Sequence, residues 1–156
     1  MGDLPVSTLA FLLVTAVLLS AFFSGTETAL MSVNRYRLRH LAREGSRSAR
    51  IAEKLLERPD RLIGLILIGN NLVNILASAI GTVIALRIWG DAGIALATGG
   101  MTVLVLIFGE VTPKTLAALH PERIAFPAAY VLNALMYVLY PLVWCINQVT
   151  NGLLKV

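Results

Sequence analysis

The sequence predicts an all-α membrane protein whose chain crosses the bilayer in three helices. Hydrophobic residues make up 57% of the 156 residues and charged residues only 14%, compared with roughly 25% charged in ordinary soluble domains. Three long apolar runs follow one another along the chain, and the mean hydropathy is +0.77. Nine of the thirteen Lys and Arg residues fall between Arg35 and Arg61. This composition does not fit a soluble globular domain.

The first predicted span covers residues 4–33. It is apolar from Leu4 to Phe23, and Glu27 is its only strong charge, so it is long enough to cross a hydrocarbon core about 30 Å thick. The residues before it carry no positive charge, and the run exceeds the roughly 7–15 residues of a signal-peptide core. We therefore expect a retained helix and not a cleaved signal.

The basic segment 35–61 sets the predicted orientation. It is short enough for the positive-inside rule to apply, which makes it a cytoplasmic loop and places the N-terminus outside. Apolar residues recur at helical spacing on both sides of Gly45-Ser46, and Pro59 ends the pattern. We expect two short amphipathic helices against the inner leaflet. Nucleic-acid binding does not fit basic residues that flank apolar spans.

The second and third predicted spans, residues 62–87 and 92–119, form a hairpin around the polar turn 87–91. The remaining segment, from Ile124 to Val149, is apolar enough to cross the membrane again. However, Pro127 and Pro141 and several aromatic residues also suit a bent helix at the headgroup level. The residues alone leave both alternatives open.

Polar clusters interrupt the first two spans, and polar groups inside a bilayer are functional candidates because they are costly there. Ser24, Glu27 and Thr28 share one face of a helix, and Asn70 and Asn74 stack at i, i+4. Each cluster also has a structural interpretation. The small residues could permit close helix packing, the asparagines could cross-link helices, and Glu27 could stay protonated or belong to a sodium site.

A third cluster, Gly109-Glu110-Val111-Thr112-Pro113-Lys114, interrupts the third span. Pro113 has no N–H to donate to the carbonyl of Gly109, so this oxygen is expected to be free beside Glu110. The structural alternative is an ion pair between Glu110 and Lys114 one turn later. By contrast, Ser78 and the stretch Met101-Thr102-Val103-Leu104 are expected to be helix contacts, core filling or lipid-facing surface.

The three clusters lie at one depth. Ser24, Asn70 and Glu110 are each nine or ten residues from the cytoplasmic end of their spans, about 13 to 15 Å at a rise of 1.5 Å per residue. We therefore expect them to converge on one site. Its candidate ligand atoms are all oxygen, which favours Mg²⁺, Ca²⁺ or Na⁺ over transition metals. The predicted metal ligands are Ser24, Glu27, Asn70, Asn74, Gly109 and Glu110.

Three motifs, in this order and with these apolar spans between them, resemble the transmembrane module of the CorC and cyclin M (CNNM) magnesium transporters. They are Phe22-Phe23-Ser24-Gly25-Thr26-Glu27-Thr28-Ala29, Gly69-Asn70-Asn71-Leu72-Val73-Asn74 and Gly109-Glu110-Val111-Thr112-Pro113-Lys114. The resemblance implies a homodimer in the plasma (inner) membrane. It implies that residues 122–152 form a cytoplasmic-side juxtamembrane belt helix, and that the C-terminus is cytoplasmic.

The resemblance also implies sodium-coupled export of Mg²⁺ by alternating access, with Mg²⁺ as the transported ion and Na⁺ as the coupling ion. Ser24, Asn70, Glu110 and the carbonyl of Gly109 are the implied Mg²⁺ contacts, followed by Glu27 and Asn74. Regulatory CBS domains are expected in the full-length chain. The alternative is a membrane module that senses Mg²⁺ without moving it. An enzyme is not expected, because the chain has no His-Glu-x-x-His or Gly-x-Ser-x-Gly motif.

Overall fold

The computed structural model describes residues 3–155, and 92% of these residues are helical, with no β-strand in that range. The helices are α1 (Val6–Ser32), α2 (Arg35–Arg43), α3 (Arg47–Leu56), α4 (Pro59–Trp89), α5 (Gly93–Leu104), α6 (Thr112–Leu119) and α7 (Pro121–Leu154). A short 3₁₀ turn, Gly90–Ala92, joins α4 to α5, and a π-helical segment, Val105–Val111, joins α5 to α6.

Within residues 3–155, three helical stretches are long and apolar enough to cross a membrane: Val6–Ser32, Pro59–Leu119 and Pro121–Leu154. The second has 61 residues, about 90 Å if it were straight, or three times the hydrocarbon thickness. It is not straight, because Gly90 adopts a φ of +68° that favours glycine and turns the chain back. The predicted all-α membrane fold is confirmed, while the limits of the individual spans stay predictions.

The chain divides into two compact units, one containing the residues up to Ser24 and Gly69–Pro113. Within this first unit α5 runs back along α4. A Cβ on Gly93 would lie 2.4 Å from the carbonyl oxygen of Ala85, and one on Gly81 would lie 2.5 Å from the sulfur of Met101. The hairpin is therefore closely packed near its turn. Met101 also belongs to a buried apolar cluster, which it forms with Ala16 of α1 and Ala77 of α4.

The π-helical segment is a feature that the sequence analysis did not predict. The third predicted span was expected to be helical with a break at Pro113, but its hydrogen bonding widens earlier, over Val105–Val111. At the end of this segment the N–H of Thr112 donates to the carbonyl of Ile107, five residues back. Wide turns of this kind often occur at functional sites. This one contains Gly109 and Glu110.

The second unit comprises Gly25–Ile68 and the chain from Lys114 onward. The two amphipathic helices expected in the basic loop are present as α2 and α3. Asn34 caps α2 by accepting from the N–H groups of Tyr36 and Arg37, and Ser46 caps α3. Gly45, with a φ of +104°, makes the turn between them. These side-chain caps satisfy N–H groups that a helix start leaves without partners.

Helix α7 packs against α3 in this unit. Ala129 and Leu132 of α7 are buried, as are Ala52 and Leu55 of α3, and Arg37 Nε lies 2.9 Å from Glu122 Oε1. The helix continues through both of its internal prolines. Its predicted role as a juxtamembrane belt, like the predicted dimer, stays a prediction.

Candidate functional site

Ser20 on α1 lies at the centre of a polar cluster in the first unit. Its side chain is completely buried. The Ser20 hydroxyl lies 2.6 Å from Asn74 Oδ1, 3.3 Å from Asn70 Oδ1 and 3.5 Å from the carbonyl oxygen of Gly109. A hydroxyl has one proton to donate, and the shortest of these distances gives it to Asn74. One serine therefore joins α1, α4 and the π-helical segment.

The two asparagines connect this serine to Glu110. The Nδ2 atoms of Asn70 and Asn74 each lie 3.3 Å from the same carboxylate oxygen, Glu110 Oε1. Each amide therefore has its oxygen toward Ser20, where Asn74 accepts the hydroxyl proton, and donates through its nitrogen to Glu110. The result is a connected network whose formal negative charge comes from Glu110. Hydrogen bonds to a charged acceptor are stronger than those between neutral groups.

Local sequence explains how the helices come this close. Asn70 and Asn74 are one turn apart on α4, so both side chains reach the same neighbours. A Cβ on Gly109 would lie 2.8 Å from the Ser20 hydroxyl oxygen, and one on Gly69 would lie 2.5 Å from the Phe23 ring. Glycine at both positions permits the approach. Pro113 has no N–H to donate to the Gly109 carbonyl, and this carbonyl oxygen lies 3.5 Å from the Ser20 hydroxyl.

Four of the six predicted ligands, Asn70, Asn74, Gly109 and Glu110, lie together in this network. Ser24 lies one turn after Ser20 on α1 and is also completely buried. Its hydroxyl has no hydrogen-bond partner among the described residues. Glu27 is half-buried and belongs to the second unit.

Ser20 is the residue that sequence reasoning missed. It stands alone between apolar neighbours, and a serine in such a position usually packs helices together. A signal was present, however, in the depth comparison. Asn74 lies thirteen residues after Arg61, and Ser20 lies fourteen before Asn34, so both fall at one level of antiparallel spans. Ser20 is the α1 residue at the depth of Asn74, and Ser24 is the α1 residue at the depth of Asn70.

The polar groups of the network are of the kind that bind hard cations. Its side chains and the Gly109 carbonyl present only oxygen and amide groups. In the part of the chain that the structure describes, no three His, Cys, Asp or Glu residues come together. A site for zinc or copper would normally contain imidazole or thiolate ligands. The donor set is therefore suited to Mg²⁺, Ca²⁺ or Na⁺.

A groove along the α4–α5 hairpin leads away from Glu110. It has a volume of about 360 Å³ and is lined by hydroxyl residues at helical spacing, by Glu110 and by apolar side chains including Met101 and Val105. The hydroxyl residues are Ser78, Thr82, Thr98 and Thr102. The three threonines donate to carbonyls one turn back on their own helices. The groove was not predicted from the sequence, where Ser78 and Thr102 were assigned separately to helix packing, core filling or lipid-facing surface.

Comparison with known proteins gives one family. The family model described as the cyclin M transmembrane N-terminal domain matches residues 11–156. The chain is 58% identical, over 88% of its length, to the protein named "UPF0053 inner membrane protein YfjD" of Escherichia coli. It is 51% identical, over its whole length, to a "UPF0053 protein" of Haemophilus influenzae.

A more distant relative has a functional name. The chain is 32% identical, over 89% of its length, to a protein of Haemophilus influenzae named "Polyamine export protein". The chain covers 32%, 37% and 35% of the lengths of these three relatives. It thus spans about a third of the length of the curated relatives it matches.

Proposed function

Because this chain belongs to the cyclin M (CNNM) transmembrane-domain family, we propose that it carries Mg²⁺ across the membrane through the network around Glu110. The family is a transporter-type membrane domain and not a known enzyme family, and the chain is a multi-pass membrane protein. Transport, not chemical conversion, is therefore the activity to test.

The network of Ser20, Asn70, Asn74, Gly109 and Glu110 is the observation that carries this proposal. It contains six oxygen atoms, two from Glu110 and one from each of the other four residues. Mg²⁺ requires a near-octahedral set of oxygen ligands. Ser24 would add a seventh oxygen from the next turn of α1, and its buried hydroxyl, which has no partner among residues 3–155, is suited to a ligand role. Glu27 is the least supported of the predicted ligands.

Cation binding requires a rearrangement of the two amides. Their Nδ2 atoms now face Glu110 Oε1, and N–H groups do not bind a metal. A rotation about the terminal torsion, which is broad for asparagine, would turn both amide oxygens toward a cation that lies between Glu110 and the oxygens of Ser20 and Gly109. Oxygen facing carboxylate is repulsive unless a cation lies between them. Ion entry would therefore be coupled to reorganisation of the network, as alternating access requires.

We further propose that the protein works as a homodimer in the plasma (inner) membrane, with the N-terminus outside and the C-terminus in the cytoplasm. The basic residues of α2 and α3 support this orientation. Na⁺ moving down its gradient would drive Mg²⁺ out of the cell.

Mg²⁺ transport and its coupling to Na⁺ can both be tested by measuring Mg²⁺ flux in sealed proteoliposomes that contain a fluorescent Mg²⁺ indicator. Vesicles with the protein should transport Mg²⁺ faster than empty vesicles, and an opposing Na⁺ gradient should accelerate the flux. Flux without sodium dependence would refute the coupling only. Absence of flux, with Mg²⁺ still raising the melting temperature of the protein, would favour the alternative of a non-transporting Mg²⁺ sensor.

Polyamine transport is a second candidate, favoured by the groove beside Glu110 and by the name of the more distant relative. A polyamine is a flexible chain of methylene groups with ammonium groups, and it needs apolar walls, hydroxyl oxygens and a carboxylate. The groove offers all three. Thr102→Val keeps the shape of the side chain but removes its hydroxyl, so it should weaken spermidine transport and leave Mg²⁺ flux unchanged. Equal effects on both ions, or none on spermidine, would argue against this candidate.

A further inference from the structure

The second unit contains a pocket that the proposed transport function does not use. It lies between α3, the start of α4 and α7, and has a volume of about 250 Å³. Three cationic residues line it, together with two tyrosines, two apolar residues and one asparagine. The lining residues are Lys54, Leu55, Arg58, Arg61, Asn133, Met136, Tyr137 and Tyr140. They include no carboxylate.

The cationic residues of this pocket are held at the edge of the apolar sequence. Arg58 and Arg61 flank the first residues of α4, and the apolar run of that helix begins at the next residue, Leu62, which is completely buried. The guanidinium of Arg61 lies 5.1 Å from the centre of the Tyr140 ring, a cation–π contact that fixes its position. Lys54 and Arg58 are exposed and free to turn toward an anion.

Apolar surface completes the lining of the pocket. It comes from Leu55, which is buried, and from Met136 and Tyr137 of α7. Tyr137 is 70% exposed although it belongs to a highly apolar helix. Tyrosine prefers the level of the headgroups, where its ring is in apolar surroundings and its hydroxyl is in water. The lining of the pocket therefore combines three cationic side chains with apolar surface.

We propose that this pocket binds one anionic phospholipid of the surrounding bilayer. Its phosphate lies among Lys54, Arg58 and Arg61, and an acyl chain runs along Met136 and Tyr137. Basic pockets between helices on the cytoplasmic side of membrane proteins bind acidic headgroups in this way. A soluble phosphate compound would use the cationic side chains but would leave the apolar surface uncovered, so the pocket favours a lipid. The lipid would join α3 to α7, and this proposal does not depend on which ion the protein moves.

Native mass spectrometry of the detergent-solubilised protein, titrated with dioleoylphosphatidylglycerol, tests this proposal. Detergent removes the general attraction of a charged bilayer surface, so adducts report individual sites. A cation near acidic lipid contributes about a fivefold gain in affinity, so the double variant Lys54→Gln/Arg58→Gln should bind the lipid about thirtyfold more weakly. The matched control, Arg43→Gln/Arg47→Gln, removes two exposed cations that do not line the pocket, and it should bind like the wild type.

Other ligands distinguish a lipid from a soluble anion. Dioleoylphosphatidylcholine, which has no net charge, and glycerol phosphate, which has no acyl chain, should neither bind nor compete at millimolar concentration. Competition by glycerol phosphate, or equal loss of lipid binding in the two double variants, would overturn the proposal. Circular dichroism without lipid checks that each variant is folded. If the double variant is not folded, Lys54→Gln and Arg58→Gln alone should each weaken binding about fivefold.

Discussion

Replacing Ser20 by alanine removes the hydroxyl that joins three segments of the first unit. Ser24→Ala is its matched control, because both serines lie on α1, both are completely buried and they are one turn apart. They differ in their hydrogen bonds. The Ser20 hydroxyl lies 2.6 Å from Asn74 Oδ1, whereas that of Ser24 has no partner within the described chain. The same change of one atom should therefore destabilise the protein at position 20 but not at position 24.

The magnitude follows from these contacts. A buried hydrogen bond contributes about 1 kcal/mol, and interhelical hydrogen bonds in membranes average about 0.6 kcal/mol with a maximum near 1.7. The Ser20 bond is short, and its loss leaves the buried oxygen of Asn74 without this donor. We expect Ser20→Ala to lower the free energy of unfolding by about 1 to 2 kcal/mol. Ser24→Ala should leave it unchanged or raise it by up to about 1 kcal/mol, because an unpartnered hydroxyl is costly to bury.

Reversible unfolding in mixed micelles with increasing SDS, followed by the fluorescence of Trp89 and Trp144, measures both variants. The titrations are made without divalent cations and again with Mg²⁺. Mg²⁺ should raise the free energy of unfolding of the wild type. If both serines are ligands, Mg²⁺ should raise it by less in each alanine variant. Equal losses of stability in the absence of Mg²⁺ would refute the reasoning, because they would mean that the Ser20 hydrogen bond contributes no more than the unpartnered hydroxyl of Ser24.

Two further predictions concern packing and surface charge. Gly93→Ala should destabilise the hairpin by about 2 kcal/mol, because the added Cβ would lie 2.4 Å from the Ala85 carbonyl oxygen. The control Gly99→Ala should be neutral or slightly stabilising, because no atom lies within 4 Å of its added Cβ. SDS titration of the two variants checks this, and a neutral Gly93→Ala would contradict it. Arg37→Gln should lower stability by less than about 1 kcal/mol, since its ion pair with Glu122 is solvent-accessible. Thermal melts in low and high salt check this, and a larger loss that is insensitive to salt would contradict it.

The all-α fold and its short loop helices could be predicted because apolar runs and basic residues are local signals. Asn34 and Ser46 cap the two loop helices at the positions where the apolar pattern breaks. The π-helical segment Val105–Val111 could not be predicted in the same way. Pro113 indicates that one hydrogen bond is missing, but how the chain accommodates that loss depends on packing against α1 and α4.

The candidate site was partly predictable, because the helical rise converts residue number into depth. Their equal depth predicts that Asn70 and Glu110 lie together, and the structure joins them by a hydrogen bond of 3.3 Å. Depth does not determine rotation about the helix axis. The sequence therefore favoured Ser24, inside a visible polar motif, over the isolated Ser20, which makes the hydrogen bonds. The groove needed the structure too, since its hydroxyls come from two antiparallel helices.

Mg²⁺ flux through the Glu110→Gln variant tests the central claim most directly. Glutamine keeps the size of the side chain and one oxygen but removes the charge of the network. Glu57→Gln, at an exposed position outside the spans, is the matched control. In proteoliposomes of equal protein content, we expect Glu110→Gln to reduce Mg²⁺ flux to that of empty vesicles and Glu57→Gln to transport like the wild type. Flux of Glu110→Gln equal to that of the wild type would contradict the claim that Mg²⁺ crosses the membrane through this network.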